Sequence, residues 1–231
     1  MQVSTIIQLI QAPILLLLLV LYLKFKFNIA NWKQILLAIT FGIAAIIPLL
    51  IVDKFAQFAG YDILRSLKRG AFYSFVVIGA GAEIGKFVFL RYYFLKLSSV
   101  KGSMDTIIYA MLISLGFTTF VLPLYVYGIF SQVPSDLFLY TYPLFNIMFA
   151  IIVGFFVGLG KMRKNRMIDS FTGLGAASFF HGFYFFSNLA SDKTILMFFG
   201  AGVIFIAALL GVKSINMKQS GEEELDNNVT S

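Results

Sequence analysis

Long runs of apolar residues, separated by short segments that hold most of the charges, dominate this chain. Each run is about long enough to cross roughly 30 Å of hydrocarbon, because an α-helix rises about 1.5 Å per residue. The runs do not show the polar and apolar alternation of barrel strands. The pattern therefore predicts helical membrane spans. The seven runs are Val3–Leu23, Ile35–Val52, Ala71–Leu95, Thr106–Gly128, Leu137–Gly160, Ile168–Leu189 and Ile195–Val212.

The fold class that follows is all-α: a polytopic transmembrane helix bundle with about seven transmembrane helices. Lipid offers no hydrogen-bond partners, so each span must satisfy its own backbone, as a helix does. We expect a single transmembrane domain over residues 1–217, since no internal repeat is visible. The polar segment 218–231 contains several acidic residues and few apolar ones, which predicts a disordered tail.

Composition supports a membrane protein and excludes several other classes. Hydrophobic residues make up 59% of the chain and charged residues 13%, about half the charged fraction of a soluble domain. The absence of cysteine excludes disulfides, a thiol nucleophile and a thiolate metal site. The net charge of +7 comes from basic residues that lie beside the apolar runs, so it indicates membrane orientation and not binding to nucleic acid.

The distribution of basic residues predicts the orientation of the bundle. Lysine and arginine collect in cytoplasmic segments, and an outside N-terminus gives twelve basic residues inside and five outside. We therefore expect an integral protein of the bacterial cytoplasmic membrane, with the lipid bilayer around it and the C-terminus in the cytoplasm. The twelve are Lys24, Lys26, Lys33, Arg91, Lys96, Lys101, Lys161, Arg163, Lys164, Arg166, Lys213 and Lys218; the five are Lys54, Arg65, Lys68, Arg69 and Lys193.

Two local patterns refine this picture. The outer segment Asp53–Gly70 mixes apolar residues with four basic ones, which favours an amphipathic helix at the membrane interface. Small residues recur four apart at Gly81 and Gly85, and again at Gly154 and Gly158, which is typical of close helix contacts in membranes.

Ionisable residues inside membrane spans are the candidates for chemistry, because burying a charge in lipid is costly. Glu83 and Lys86 lie three apart on one face of the third span, and His181 lies at similar depth in the sixth. Asp105 marks the edge of the fourth span. One interpretation is structural: Glu83 pairs with Lys86, and both hydrogen-bond His181. The other is functional: Glu83 acts as a general base or, with His181, as a metal ligand.

The order of short motifs resembles the PrsW family of intramembrane metalloproteases, relatives of the CAAX-protease and bacteriocin-processing group. The resemblance covers about residues 71–188, here called the PrsW-like core, and includes the spacing between motifs. It implies a helical fold, a zinc cofactor and cleavage of membrane-embedded substrates. The motifs are Ala82-Glu83-Ile84-Gly85-Lys86-Phe87, Asp105-Thr-Ile-Ile-Tyr109, Ser114-Leu-Gly-Phe-Thr-Thr119, Gly154-Phe-Phe-Val-Gly158 and Phe180-His-Gly-Phe-Tyr184.

Several motif positions depart from the family pattern. The resemblance places site residues at Glu83 and His181, which are kept together with the supporting Lys86. It implies acidic or polar residues where the chain has Ala82, Val121, Leu122 and Phe185, and a histidine where it has Asn146. A catalytic zinc usually takes three protein ligands, and Asn146 is a weak one. We therefore expect no cofactor, or zinc held through His181 and Glu83 only if the family activity is retained.

Three functions remain open from the sequence. The first is a catalytically degenerate relative that binds or regulates a transmembrane segment of another membrane protein. The second is an active intramembrane metalloprotease that cleaves single-span proteins such as anti-sigma factors. The third is a small transporter or channel with a relay through Glu83, Lys86 and His181, although no matched half-repeats support it.

Overall fold

The computed structural model of this 231-residue chain describes residues 3–27, 31–133, 135–163, 165–190 and 193–229, and these fold as helices joined by short links. The third span begins as α4, widens into a π-helix over Tyr73–Ala80 and continues as α5. A short 3₁₀ turn over Phe94–Lys96 follows it. The helices are α1 Val3–Phe27, α2 Trp32–Ala44, α3 Ile46–Phe58, α4 Leu67–Phe72, α5 Gly81–Tyr92, α6 Ser103–Val126, α7 Asp136–Met162, α8 Arg166–Leu189 and α9 Lys193–Val229.

These elements confirm the all-α fold with about seven membrane-length segments. Within the described residues, six segments are both long and apolar enough to cross a bilayer: α1, the α2–α3 pair, the third span, α6, α7 and α9. The seventh, α8, has the length of a span at 24 residues, but its glycines, serines and His181 make it less apolar. Its polar content fits its position against α5 and α7 inside the bundle.

The second span breaks at Ala45, which separates α2 from α3. Pro48 explains the break, since proline has no backbone N–H to continue the hydrogen-bond ladder of the preceding turn. A Cβ on Gly85 would lie only 2.2 Å from the Ala45 carbonyl oxygen. The missing side chain therefore lets α5 rest directly on the backbone of this break.

The expectation of an interfacial helix over Asp53–Gly70 is wrong. The segment is divided into the last turn and a half of α3, a link without regular helix over residues 59–66, and the start of α4 at Leu67. Asp53 is fully buried, which an interfacial position would not allow. Its apolar and charged residues follow the ends of two spans and do not form the two faces of one helix.

The glycine patterns mark close helix contacts as predicted, most clearly between α6 and α7. A Cβ on Gly154 would lie 2.7 Å from the Cα of Ile107, and one on Gly158 would lie 2.1 Å from the Thr106 hydroxyl oxygen. Thr106 uses this proximity, because its hydroxyl donates to the Gly154 carbonyl at 2.7 Å. Helices α6 and α7 form the most extensive contact in the bundle.

The bundle has a buried centre and two peripheral helices. In the most apolar stretches of α6 and α7, 72% of residues are buried, against 17% in α1 and α9. Helix α1 packs against α6 and α7, and Gln11 in α1 donates to the Leu139 carbonyl of α7 at 2.6 Å. Most of the surface of α1 and α9 therefore faces lipid.

Helix α9 continues through Val229 and so includes most of the polar segment for which disorder is a prediction. The tail contains no proline and several glutamates, which are good helix formers, so nothing in its sequence ends the helix. Residues 230–231 lie outside the described part of the chain.

Candidate functional site

Four polar side chains meet in the buried centre of the bundle, and we call them the Glu83 cluster: Glu83, Lys86, Asn146 and His181. Glu83 and Lys86 come from the first turns of α5, Asn146 from α7 and His181 from α8. All four are buried, with exposed fractions of 4% or less. The structure thus brings together Glu83 and His181, which the sequence placed at similar depth on two spans, and adds Asn146 from a third.

One carboxylate oxygen is the centre of the cluster. Glu83 Oε1 lies 2.6 Å from Lys86 Nζ and 2.8 Å from His181 Nδ1. Lys86 Nζ also donates to Asn146 Oδ1 at 2.9 Å. Lys86 therefore contacts Asn146 where a bond to His181 was expected, and it links the carboxylate of α5 to the amide of α7.

Asn146 is held in place by further hydrogen bonds. Its Nδ2 donates to the Tyr142 carbonyl at 3.1 Å, which directs Oδ1 towards Lys86. The hydroxyl of Ser114 in α6 donates to the Asn146 backbone carbonyl at 3.0 Å. The amide is thus fixed as an acceptor for the lysine.

Aromatic side chains enclose the cluster. The Lys86 ammonium lies 5.0 Å from the centroid of the Phe117 ring, a distance at which the ring face attracts a cation. The His181 ring stacks on Phe149, with centroids 5.0 Å apart. These contacts exclude water from the polar groups, so the interactions among the charges are stronger than they would be at a surface.

Two polar atoms of the cluster have no hydrogen-bond partner among the described residues: Glu83 Oε2 and His181 Nε2. Beside Glu83 lies a cavity of about 10 Å³, lined in part by Lys86, Ala110 and Ile113. A cavity of this size has room for about one water molecule. The free lone pairs can accept a hydrogen bond from one small donor. The cavity beside them is too small for a larger ligand.

The residues that replace family site positions are also buried. Val121 and Phe185, which stand at positions where the family resemblance implies polar residues, are completely inaccessible. Phe185 lies one turn beyond His181 and packs on Tyr73 and Phe138. Asp105 lies apart from the cluster, at the start of α6, where it accepts from the Lys101 backbone N–H at 2.7 Å. Asp105 therefore cannot supply a ligand to His181 or Glu83.

A catalytic zinc does not fit the residues present. Such a site needs about three strong protein ligands, and no group of three or more His, Cys, Asp or Glu residues occurs in the described part of the chain. The remaining candidate, Asn146, already accepts from Lys86. A dication beside Glu83 would also face the lysine ammonium, which holds the same carboxylate oxygen.

A second buried polar group was missed by the sequence analysis. The Tyr73 hydroxyl at the start of the π-helix donates to Asp53 Oδ1 at 2.5 Å, and Gln57 Nε2 donates to Asp53 Oδ2 at 2.6 Å. The Tyr73 hydroxyl also lies 3.2 Å from Ser131 Oγ. The spacing of Asp53 and Gln57, four apart at the end of an apolar run, is the sequence signal that could have indicated a shared helix face.

Comparison with known proteins identifies one family. A family model described as PrsW family intramembrane metalloprotease matches residues 30–212, which is most of the chain. No curated protein and no solved structure gives a significant match.

Proposed function

We propose that this chain, which belongs to the PrsW family of intramembrane metalloproteases, is a member that does not hydrolyse peptide bonds and instead binds a membrane-embedded partner. The matched region, residues 30–212, contains every residue of the Glu83 cluster, which supports taking this cluster as the counterpart of the family site. What distinguishes this chain is the chemistry of that cluster.

The observation that carries the proposal is the position of Lys86. Its ammonium contacts Glu83 and Asn146 directly and reaches His181 through the shared Glu83 oxygen. With a neutral histidine, the cluster holds one negative and one positive charge and is balanced without any metal. Lys86 therefore supplies the cation that the buried carboxylate requires.

The second half of the proposal is the partner. The family description refers to proteolysis inside the membrane, so its members recognise membrane-embedded protein segments. In this chain, Phe179 of α8 lies two residues from His181, is 53% exposed to lipid and packs beside Phe75 and Phe183. This exposed aromatic surface lies on the outer face of the helix whose inner face carries His181, and it suits the apolar face of a transmembrane helix.

An active protease is the alternative, and the free atoms Glu83 Oε2 and His181 Nε2 favour it. A carboxylate and an imidazole with unused lone pairs are groups that zinc accepts. This alternative requires a third ligand to enter the cluster and Lys86 to leave it.

Zinc content and cleavage distinguish these two functions. The protein would be purified without added metal, its zinc measured by elemental analysis, and its action on a single-span membrane protein followed by gel, with Glu83→Gln and His181→Ala as variants. We expect no stoichiometric zinc and no cleavage for any form. Stoichiometric zinc that is lost in His181→Ala, with cleavage that stops in Glu83→Gln, would instead establish an active enzyme.

Partner binding is tested separately, by placing a photo-crosslinking amino acid at Phe179. The matched control position is Leu18 on peripheral α1, which is 56% exposed. We expect one crosslinked membrane-protein adduct from position 179 and none from position 18. Equal, diffuse labelling from both positions would contradict a specific partner at this face.

A further inference from the structure

Among the described residues, two open and largely apolar grooves lie at opposite ends of the helix bundle. The larger, which we call the α7–α9 groove, has a volume of about 700 Å³ and lies between the end of α7 and the last apolar turns of α9. The other, of about 520 Å³, follows the end of α3. The α7–α9 groove is lined by Met162, Leu209, Val212 and Met217, with Lys213 and Asn216 at its polar end.

The α7–α9 groove changes from apolar to polar along α9. Leu209 and Val212 belong to the last apolar turn, and Lys213 is the first charged residue after it. Asn216 follows three residues later, on the same helix face. A phospholipid changes in the same direction, from acyl chains in the hydrocarbon to a phosphate at the interface. The apolar part of the groove therefore suits an acyl chain and its polar end suits the phosphate.

Lys213 is available to a ligand, unlike Lys161 and Lys218, the lysines next in sequence to the groove residues Met162 and Met217. Lys161 donates to the carbonyls of Leu95, Leu97 and Val100, and Lys218 lies 4.0 Å from Asp105. Lys213 is exposed, and in the described part of the chain its nearest recorded partner is the Phe155 ring, 5.9 Å away. Among the described side chains, its positive charge therefore has no carboxylate partner.

The groove at α3 lacks this feature although it also contains a lysine. Lys54 lines it together with Leu50, Ile51, Phe55 and Phe58. Its ammonium already donates to Gln57 Oε1 at 3.0 Å and to the Ile129 carbonyl at 3.3 Å. The two grooves thus offer similar apolar surfaces, but only the α7–α9 groove adds a cation without a protein acceptor.

We propose that the α7–α9 groove is a binding site for an anionic phospholipid. One acyl chain lies along Met162, Leu209 and Val212, and the phosphate is bound by the Lys213 ammonium and the Asn216 amide. This site is distinct from the Glu83 cluster and does not depend on whether the chain is a protease.

Lipid titration of the purified full-length protein, followed by native mass spectrometry, tests this site. Phosphatidylglycerol is the anionic probe and phosphatidylcholine the neutral one. We expect one phosphatidylglycerol to bind more tightly than phosphatidylcholine. Lys213→Gln should weaken that affinity about fivefold, because a basic residue near anionic headgroups contributes about 1 kcal/mol to binding. Lys68→Gln, which removes an exposed lysine of α4 outside both grooves, is the matched control and should bind as the unaltered protein does.

A groove-filling variant makes the test independent of charge. Leu209→Trp should reduce binding of both lipids, because Leu209 lines the groove. Leu18→Trp on α1 should not reduce it, and it is a matched control because both leucines are about half exposed. Equal phosphatidylglycerol affinity in Lys213→Gln and the unaltered protein would overturn the proposal. So would equal losses in Lys213→Gln and Lys68→Gln, because that result would indicate a general effect of surface charge.

Discussion

At the scale of single residues, the cluster depends on one oxygen, Glu83 Oε1, which accepts from both Lys86 and His181. A buried lysine without a counter-charge is far more costly than a pair, because its hydration is lost without compensation. The carboxylate of Glu83 is therefore first a requirement for stability. Any catalytic use of Glu83 would have to keep Lys86 neutralised at the same time.

We predict that Glu83→Leu alone destabilises the protein by about 3–5 kcal/mol, because it leaves the Lys86 ammonium buried without a counter-charge. The double variant Glu83→Leu/Lys86→Met removes both charges and should be less destabilised than the single variant. Both variants leave His181 without its partner, so the comparison isolates the lysine. Unfolding in detergent, followed by circular dichroism, measures the difference; a double variant less stable than the single one would contradict the prediction.

The sequence predicted part of this cluster. The helical rise per residue placed Glu83 and His181 at one depth, and the structure brings them into contact. It did not predict that Lys86 would turn to Asn146, since the direction of a long flexible side chain depends on neighbours from other helices. Those neighbours, Phe117 and Ser114, are on α6.

At the scale of elements, the least predictable part is the join between the second and third spans. The basic residues that follow Asp53 in the sequence favour a position at the membrane interface. In the structure Asp53 is instead buried on the side of α3 that faces Tyr73 of the π-helix. Composition alone cannot reveal this, because a buried carboxylate is recognised by its partners. Tyr73, which binds Asp53, and Ser131, which contacts the Tyr73 hydroxyl, are distant in the chain. The π-helix itself has no clear signal in the sequence.

We predict that Tyr73→Phe destabilises the protein by about 1–3 kcal/mol, since Asp53 Oδ1 loses its short hydrogen bond in a buried site. Tyr127→Phe is the matched control, because Tyr127 is 68% exposed at the end of α6. Thermal unfolding of the two variants in the same detergent measures the effect. Equal melting temperatures for both variants would mean that the hydrogen bond from Tyr73 to Asp53 contributes nothing to stability.

At the scale of the whole molecule, the apolar runs predicted the spans well, because lipid permits few backbone arrangements and helices satisfy them. The bounds were less accurate: the second span extends to Phe58, and it contains a break at Ala45. Glycine spacing also predicted close helix contacts, and the structure shows that Gly154 and Gly158 of α7 make theirs with α6. Orientation stays a prediction, because it depends on charges outside the spans and on the membrane itself.

We predict that the C-terminus lies in the cytoplasm, because twelve of seventeen counted basic residues fall on that side. A reporter protein that is active only outside the cytoplasm, fused after Ser231, should be inactive. The same reporter fused after Gly128, at the opposite end of α6, should be active. Activity of the C-terminal fusion would reverse the orientation of every span.

The contact between α1 and α7 has a consequence for biosynthesis. Gln8 and Gln11 of α1 find their partners in Asp136 and Leu139, 128 residues later in the chain. At a translation rate of about 5–20 residues per second, α1 waits on the order of ten seconds before α7 has been made. During this interval the two glutamines face lipid or the insertion machinery without their final partners. The first helix made can pack against α6 earlier, but these polar contacts form only after α7 has been made, and a chaperone that shields the two glutamines would act in this interval.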